Sequence, residues 1–276
     1  MSKIGQAFKN GKAFIGFLTA GDPSLEKTYE YIMTMEKAGA DLIEIGIPFS
    51  DPIAEGIVIQ EADLRALKQG TRIDDVFDLV KRVRKDSQIP LVFLTYLNPV
   101  FHYGADAFFT RCEEAGLDGI IIPDMPFEER GECAAAAKAH GIDIISMIAP
   151  TSKDRIQTIA KAGEGFLYIV SSLGVTGTRT EIKTNLKDII DTAKAVTDVP
   201  CAVGFGINTT EQAEAIGRDA DGVIVGSAIV KLIAKYGDDA GNAIYDYVKS
   251  MKEAAMRSLS SVSYTHLRAH ETLSDL

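Results

Sequence analysis

The sequence predicts a single (β/α)₈ TIM barrel, an α/β fold in which each parallel strand is followed by a helix. Eight short apolar runs alternate along the chain with longer segments of helical periodicity. A strand that is buried on both faces of a parallel sheet must be apolar at nearly every position. Eight such units in about 240 residues match the count and length of the barrel. An open doubly wound sheet is the alternative that this pattern leaves open.

Helical segments separate the predicted strands, and two of them lie between the second and third strands. The predicted strands are 14–18, 42–45, 91–94, 119–122, 142–147, 166–170, 202–204 and 222–225. The predicted helices are 25–38, 59–68, 73–84, 106–115, 128–140, 154–160, 186–196 and 211–217. Residues typical of helix N-caps precede the first and the last of these helices, at Ser24 and at Thr209.

Composition and charge narrow the class of protein. Apolar residues make up 46% of the chain and charged residues 25%, which is typical of soluble globular proteins. The formal net charge of −10 argues against nucleic-acid binding, which needs clustered Lys and Arg. Three scattered cysteines predict neither a disulfide framework nor a zinc site. No apolar run is long enough for a membrane span or a signal peptide, so we expect a cytoplasmic protein.

One domain is expected over residues 1–257, because no linker or shift in composition divides the chain before its end. Residues 258–276 are different: they carry little apolar periodicity, and the stretch SVSYTHLRAHET resembles a translated sequencing adapter. The spacing of His266 and His270 suits two metal ligands on one helix face, but no third ligand is evident. We therefore expect a non-native or disordered tail and no metal site.

Two carboxylates at the second predicted strand are candidates for acid–base chemistry. In a barrel, the carboxyl ends of the strands and the loops that follow them build the active site. Glu44 interrupts an apolar run, so its side chain should point into the barrel interior, where burial raises the pKa. Glu55 follows in the loop after that strand. The structural alternatives are a buried ion pair for Glu44 and a solvated loop position for Glu55.

Glycine-rich turns after the last three predicted strands indicate a phosphate-binding site. They lie at 173–177, 204–206 and 226–227. Glycine allows backbone N–H groups to approach an anion closely, and a helix that begins at Ser227 would direct its positive end to the same point. Barrels commonly hold phosphate at the loops after strands seven and eight. Three such turns together predict a phosphorylated ligand.

Apolar and aromatic side chains at the predicted strand ends suit a flat ring. For each residue alone, filling of the core is the default interpretation. Together they could line one pocket. The residues are Phe17, Leu94, Tyr96, Ile121, Tyr168 and Phe205.

Several motifs resemble those of the tryptophan synthase α subunit family. They are LTAGDP at 18–23, EIGIPFSDPIAEG at 44–56, and further along YLNPVFHYG, IIPDMPFEE, SSLGVTG, GFGI and VGSAIVK. The resemblance covers residues 1–256 in consistent order. It implies a carbon–carbon lyase of tryptophan biosynthesis, which cleaves indole-3-glycerol phosphate to indole and glyceraldehyde 3-phosphate.

The resemblance also implies roles for single residues. Glu44 would protonate C3 of the indole ring, and Glu55 would accept a hydrogen bond from the indole N–H. The apolar set named above would enclose the substrate, with Tyr168 supporting a mobile loop that carries Thr176. The residues implied to hold the phosphate are Gly177, Gly206, Gly226 and Ser227.

A partner follows from the same resemblance: a β subunit in an α₂β₂ assembly, with Pro48 and Asp51 facing it. No cofactor is implied in this chain, and pyridoxal phosphate is implied in the β subunit.

Two positions depart from the family, which usually has Asp where this chain has Glu55 and Pro where it has Ile57. These departures leave one alternative open, a catalytically weak partner that mainly activates a β subunit. A different phosphate-binding barrel is a separate alternative, which binding of another sugar phosphate in place of indolic ligands would favour.

Overall fold

The computed structural model, which describes residues 3–171 and 179–271, is a barrel of parallel strands surrounded by helices. Within those residues the strands are β1 (Ala13–Thr19), β2 (Leu42–Gly46), β3 (Leu91–Leu94), β4 (Gly119–Ile121), β5 (Asp143–Ile144), β6 (Ser146–Ile148), β7 (Leu167–Val170), β8 (Cys201–Gly204) and β9 (Gly222–Val225). Their order in the sheet is β5-β4-β3-β2-β1-β9-β8-β7-β6, and all described pairs are parallel.

The two edges of this sheet come from one continuous segment, which closes the barrel. The predicted strand 142–147 is divided at Ile145 into β5, which pairs with β4, and β6, which pairs with β7. The backbone N–H of Ile145 still donates to the carbonyl of Ile120, at 2.9 Å. The prediction of a (β/α)₈ barrel is therefore confirmed, and the open sheet is wrong.

Within the described residues, helices connect the strands, with two helices between β2 and β3 and two between β3 and β4. They are α1 (Leu25–Lys37), α2 (Ile57–Lys68), α3 (Ile73–Asp86), α4 (Leu97–Tyr103), α5 (Ala105–Ala115), α6 (Gly131–Ala139), α7 (Lys153–Lys161), α8 (Arg179–Lys194), α9 (Thr210–Gly217), α10 (Ser227–Tyr236) and α11 (Gly241–Glu271). Short 3₁₀ turns lie at Ile4–Phe8, Phe127–Glu129 and Gly237–Asp239.

The predicted caps and most helix positions agree with the structure, with three differences. Ser24 accepts the backbone N–H of Lys27, and Thr209 forms a reciprocal capping box with Gln212. The predicted start of the 128–140 helix is a 3₁₀ turn, so α6 begins only at Gly131. In contrast, α8 begins seven residues before the predicted start at 186. The short α4 was not predicted, because Pro99 lies in its first turn, where proline is tolerated but gives no helical periodicity.

Apolar side chains fill the barrel interior below the carboxyl ends of the strands. In β2, Leu42 belongs to the interior cluster, whereas Ile43 and Ile45 pack in the layer between the sheet and the helices. The 3₁₀ turn Ile4–Phe8 contributes Ile4 and Ala7 to the interior cluster. Among the described residues, the interior is therefore filled below the cavity that lies at the carboxyl ends of the strands.

The last helix, α11, packs on the barrel through its first half. Met251, Ala254, Ala255 and Ser258 are buried. The helix runs on to Glu271, beyond the expected domain boundary at residue 257. The assignment of 258–276 as a non-native or disordered tail stays a prediction. None of the helices in the described ranges is long and apolar enough to cross a membrane.

A buried ion pair joins α3 to the turn before β4. Arg84 contacts Asp118 at 2.7 Å and also donates to the carbonyls of Gly116 and Ile89. The two charged side chains are only 11% and 7% exposed. Two residues earlier on α3, Arg82 forms an ion pair with Glu26, but both side chains are largely in solvent.

Replacing Arg84 by Ala should lower the free energy of unfolding by about 3 kcal/mol, because Asp118 is left buried without its counter-charge. The matched variant Arg82→Ala should cost much less, because solvent screens its ion pair. Urea denaturation measures both, with the slope against urea unchanged. Equal losses of unfolding free energy in the two variants would contradict the claim that burial makes the Arg84–Asp118 ion pair the stronger of the two.

Candidate active site

A cavity of about 390 Å³ opens at the carboxyl ends of the strands and collects most of the predicted site. Its walls come from the two halves of the barrel, with the carboxylates of β2 and its loop on one side and the turns after β8 and β9 on the other. The predicted site residues that line it are Phe17, Glu44, Glu55, Leu94, Tyr168, Phe205, Gly206, Gly226 and Ser227.

Other predicted residues lie elsewhere. Ile121 is fully buried in the interior cluster and is not among the residues that line the cavity. Tyr96 also lies outside the lining, and its hydroxyl contacts the loop after β2. Thr176 and Gly177 lie outside the described residues.

The two residues expected to face a partner differ in exposure. Pro48 is buried within the protein itself, whereas Asp51 is exposed. Pro48 therefore presents little surface to a partner. Asp51 is the member of the pair that a partner could contact directly.

Glu44 is a buried acid at the base of the cavity. Its position in β2 is in register with Phe17 of β1 and Val92 of β3. It is 1% exposed, and its Oε1 has no hydrogen-bond partner among the described side chains and backbone. Burial, followed by the nearby charge of Glu55, raises its pKa to about 8. The alternative of a buried ion pair thus finds no support, and the carboxyl holds its proton at neutral pH.

Glu55 is held at the cavity by Tyr96. Burial raises its pKa to about 7, and a hydrogen bond from the Tyr96 hydroxyl opposes that rise. The same hydroxyl accepts the backbone N–H of Ala54, at 3.1 Å. Tyr96 therefore fixes both the loop and the carboxylate, and Glu55 is not the solvated residue of the structural alternative.

A third carboxylate, Asp63, was not indicated by the sequence analysis. It is 4% exposed on α2, and the hydroxyl of Thr19 donates to it at 3.3 Å. Burial, and then the charge of Glu55, raises its pKa to about 7. The signal was present in the sequence, because Asp63 lies on the same helix face as the buried residues Ile59, Ala62 and Ala66.

An aromatic slot forms the apolar part of the cavity. The ring of Phe17 fits between two glycines: a Cβ at Gly46 would lie 2.7 Å from its Cζ, and one at Gly226 would lie 3.2 Å from its Cδ1. On the opposite side, Tyr168 and Phe205 meet edge to face with their ring centroids 6.1 Å apart. The slot therefore suits a flat apolar ring.

Backbone groups form the other end of the cavity. Phe205 and Gly206 adopt φ values of 72° and 74°, a left-handed turn that is costly for a phenylalanine. The hydroxyl of Ser171 donates to the carbonyl of Phe205, at 2.6 Å, and holds this turn in place. Beside it, α10 begins at Ser227, and the N–H groups of its first turn lack helical partners. This end of the cavity suits an anion.

Further residues line the cavity that the sequence analysis did not single out. One of them, Lys231, is a cation on α10. The remaining ones are Ala54, Ile59, Pro123, Met147, Ile207, Asn208, Ile224 and Ala228. Among the described residues, no group of three His, Cys, Asp or Glu side chains is arranged to hold a metal ion.

The fold and the cavity define a (β/α)₈-barrel protein whose site combines two acidic groups, an aromatic slot and an anion-binding end. Comparison with known proteins gives the family. The family model described as tryptophan synthase alpha chain matches residues 5–258. This chain belongs to the tryptophan synthase alpha chain family.

Individual relatives are similar to this chain over nearly their whole length. The tryptophan synthase alpha chain of Lacticaseibacillus casei is 50% identical over 254 residues, which cover 92% of this chain and 96% of the relative. The crystal structure of tryptophan synthase subunit alpha from Legionella pneumophila str. Paris is 37% identical, with a TM-score of 0.84 over 92% of this chain and 98% of that one. A chain of the tryptophan synthase a2b2 complex from Pyrococcus furiosus is also 37% identical, with a TM-score of 0.81 over 88% of this chain and 98% of that one.

Burial of Glu44 should make the stability of the protein depend on pH. The pKa of Glu44 rises from 4.5 to about 8 on folding, so between these values the folded state keeps a proton that the unfolded chain releases. The stabilisation is complete below the unfolded pKa and is lost as the pH rises towards the folded pKa.

Glu44→Gln, which carries no titratable proton, should therefore gain stability relative to the wild type between about pH 5 and about pH 9. Urea denaturation of both proteins across this range measures the difference in unfolding free energy. A difference that stays constant with pH would show that Glu44 has an ordinary pKa.

Proposed function

We propose that this protein is a cytoplasmic lyase of tryptophan biosynthesis, the α subunit of a tryptophan synthase. It cleaves indole-3-glycerol phosphate to indole and glyceraldehyde 3-phosphate. One observation carries the proposal: a single cavity holds a buried, unpaired carboxyl group at its base and a glycine-lined helix start at its other end. Membership of the tryptophan synthase alpha chain family supports the same activity.

The shape of the cavity supports one orientation of the substrate. The indole ring occupies the slot between Phe17 and Tyr168, within reach of both acidic groups. The phosphate lies against Gly206, Gly226 and Ser227, where backbone N–H groups and the positive end of α10 stabilise its charge. Binding at both ends holds the bond that breaks in a fixed position.

Glu44 is the proposed general acid. Its pKa of about 8 keeps the carboxyl protonated at neutral pH, so it can donate its proton to C3 of the indole ring. The bond between C3 and the side chain then breaks, and its electron pair returns to the ring. As the adjacent hydroxyl group becomes an aldehyde, the Glu44 carboxylate accepts the proton that the hydroxyl releases.

Glu55 is the proposed partner of the indole nitrogen. Protonation at C3 places positive charge on the ring nitrogen, and a carboxylate that accepts the N–H hydrogen bond stabilises this charge. The pKa of Glu55, about 7, lies below that of Glu44. As the pH rises, Glu55 therefore ionises before Glu44. This order suits a site in which Glu44 acts as the acid and Glu55 acts as the carboxylate.

The two departures from the family pattern are compatible with an active site. The longer side chain of Glu55 is held by Tyr96, so the extra methylene does not leave the carboxylate without an anchor. Ile57 is the first residue of α2, and its side chain is 72% exposed. Proline is favoured at this position, but a helix does not require it.

A β subunit is the proposed partner, in an α₂β₂ assembly. Three exposed apolar side chains support this: Ile53, Ile57 and Phe101 are 81%, 72% and 73% exposed on the loop after β2, on α2 and on α4. Exposed apolar side chains near exposed Asp51 are typical of a protein interface. Pyridoxal phosphate belongs to the β subunit in this proposal, and the α reaction needs no cofactor from this chain.

Release of indole from indole-3-glycerol phosphate tests the proposed activity. The purified protein, alone and with a β subunit, should release indole, and Glu44→Gln should lower kcat by at least about a hundredfold because the proton donor is lost. Glu61→Gln, the same change at an exposed position of α2, should leave kcat unchanged. Absence of indole from the wild type in both conditions would refute the lyase.

Glu55→Asp separates the active lyase from a catalytically weak partner of the β subunit. For the lyase we expect an unchanged or lower kcat, because Tyr96 holds the glutamate and shortening it breaks that contact. The weak-partner alternative instead requires a sharp rise in kcat, since Asp would restore the family residue. Steady-state kinetics with the β subunit present measures the change.

A further inference from the structure

We propose that Lys231 is a further phosphate-binding residue, whose ammonium group pairs with the phosphate of the substrate above the first turn of α10. The inference rests on the proposed function, because it assigns the cation that recognises the phosphorylated end of that substrate. It adds a charged side chain to a site that otherwise consists of backbone groups and a serine.

The position of Lys231 on α10 brings it to the anion-binding end of the cavity. It lies one helical turn after Ser227 and lines the same cavity as Gly226 and Ser227. Side chains on a helix lean towards its N-terminus, so a residue covers the turn that precedes it. The rise between the two residues is about 6 Å, a distance that an extended lysine side chain can span.

The charges around the cavity favour a cation at this end. Glu44 and Glu55 both line the cavity, and both repel an anion when ionised. A phosphate monoester carries a charge of about −1.5 to −2 at neutral pH, whereas a helix N-terminus offers only about half a positive charge. Lys231 is the only cation among the described residues that line the cavity.

Lys231 is also free to bind a ligand. Within the described part of the chain, its ammonium makes no hydrogen bond or ion pair. Other lysines near the sheet are engaged: Lys252 pairs with Asp41 at 2.7 Å, and Lys194 pairs with Asp221 at 2.8 Å. At the base of the same cavity, the unpartnered Oε1 of buried Glu44 independently indicates a polar ligand between the two ends.

Three variants test the assignment. Lys231→Gln removes the charge, and Lys231→Arg keeps it. Lys235→Gln is the matched control, because Lys235 lies one turn further along α10, outside the cavity, with its ammonium 4.8 Å from the centre of the Tyr236 ring. Calorimetry measures the affinity for inorganic phosphate and, separately, for indole. Steady-state kinetics measures KM for indole-3-glycerol phosphate.

We expect Lys231→Gln to weaken phosphate binding and to raise KM by about three- to tenfold, the range for a partly exposed charge-assisted pair. Affinity for indole, which lacks a phosphate, should not change. Lys231→Arg and Lys235→Gln should behave like the wild type.

Two results would overturn the assignment: equal effects of Lys231→Gln and Lys235→Gln, or equal weakening of phosphate and indole binding. Failure of the proposed function is a separate outcome. If the wild type binds phosphate through Lys231 but releases no indole, the lysine assignment stands and the lyase activity fails.

Discussion

Burial of the Glu44 carboxyl group is the constraint on which the rest of the site depends. The barrel interior gives this group no basic partner among the described side chains, so its charged form is strongly disfavoured. A protonated acid at neutral pH is the direct result. Glu55, nearer the surface and held by Tyr96, keeps a lower pKa. The difference between the two environments, and not between the two residue types, divides the roles of acid and base.

Much of the fold follows from the sequence pattern, because strands buried on both faces must be apolar throughout. For β1, β2 and β7 the predicted bounds differ from the observed ones by one residue at most, although Glu44 interrupts the apolar run of β2. The division at Ile145 could not be predicted, since no glycine or proline lies between residues 142 and 147. It depends on barrel closure, where one segment must pair with β4 on one side and β7 on the other.

The candidate site was predictable where a residue broke a local pattern. Glu44 stood out as a charge within an apolar strand, and the glycine turns stood out by composition. Tyr96 and Ile121 both lie at predicted strand ends and both suit an apolar pocket by residue type. In the structure, Tyr96 contacts the loop after β2, whereas Ile121 fills the barrel interior. Their difference depends on side-chain direction in three dimensions, which strand-end position alone does not give. Asp63 shows the converse, because its place on the buried face of α2 was readable from helical spacing.

The position of the Phe17 ring in the aromatic slot is fixed by the main chain of the neighbouring strands. Gly46 of β2 and Gly226, the residue after β9, confine the ring of Phe17. Because β2 and β9 are the two neighbours of β1, their main chain leaves this ring little room to move. Adding even a methyl group to Gly46 would displace that ring towards the ligand. On this side of the slot, a redesign for bulkier heterocycles therefore has to shorten Phe17 itself, because the two glycines that confine it have no side chain to remove.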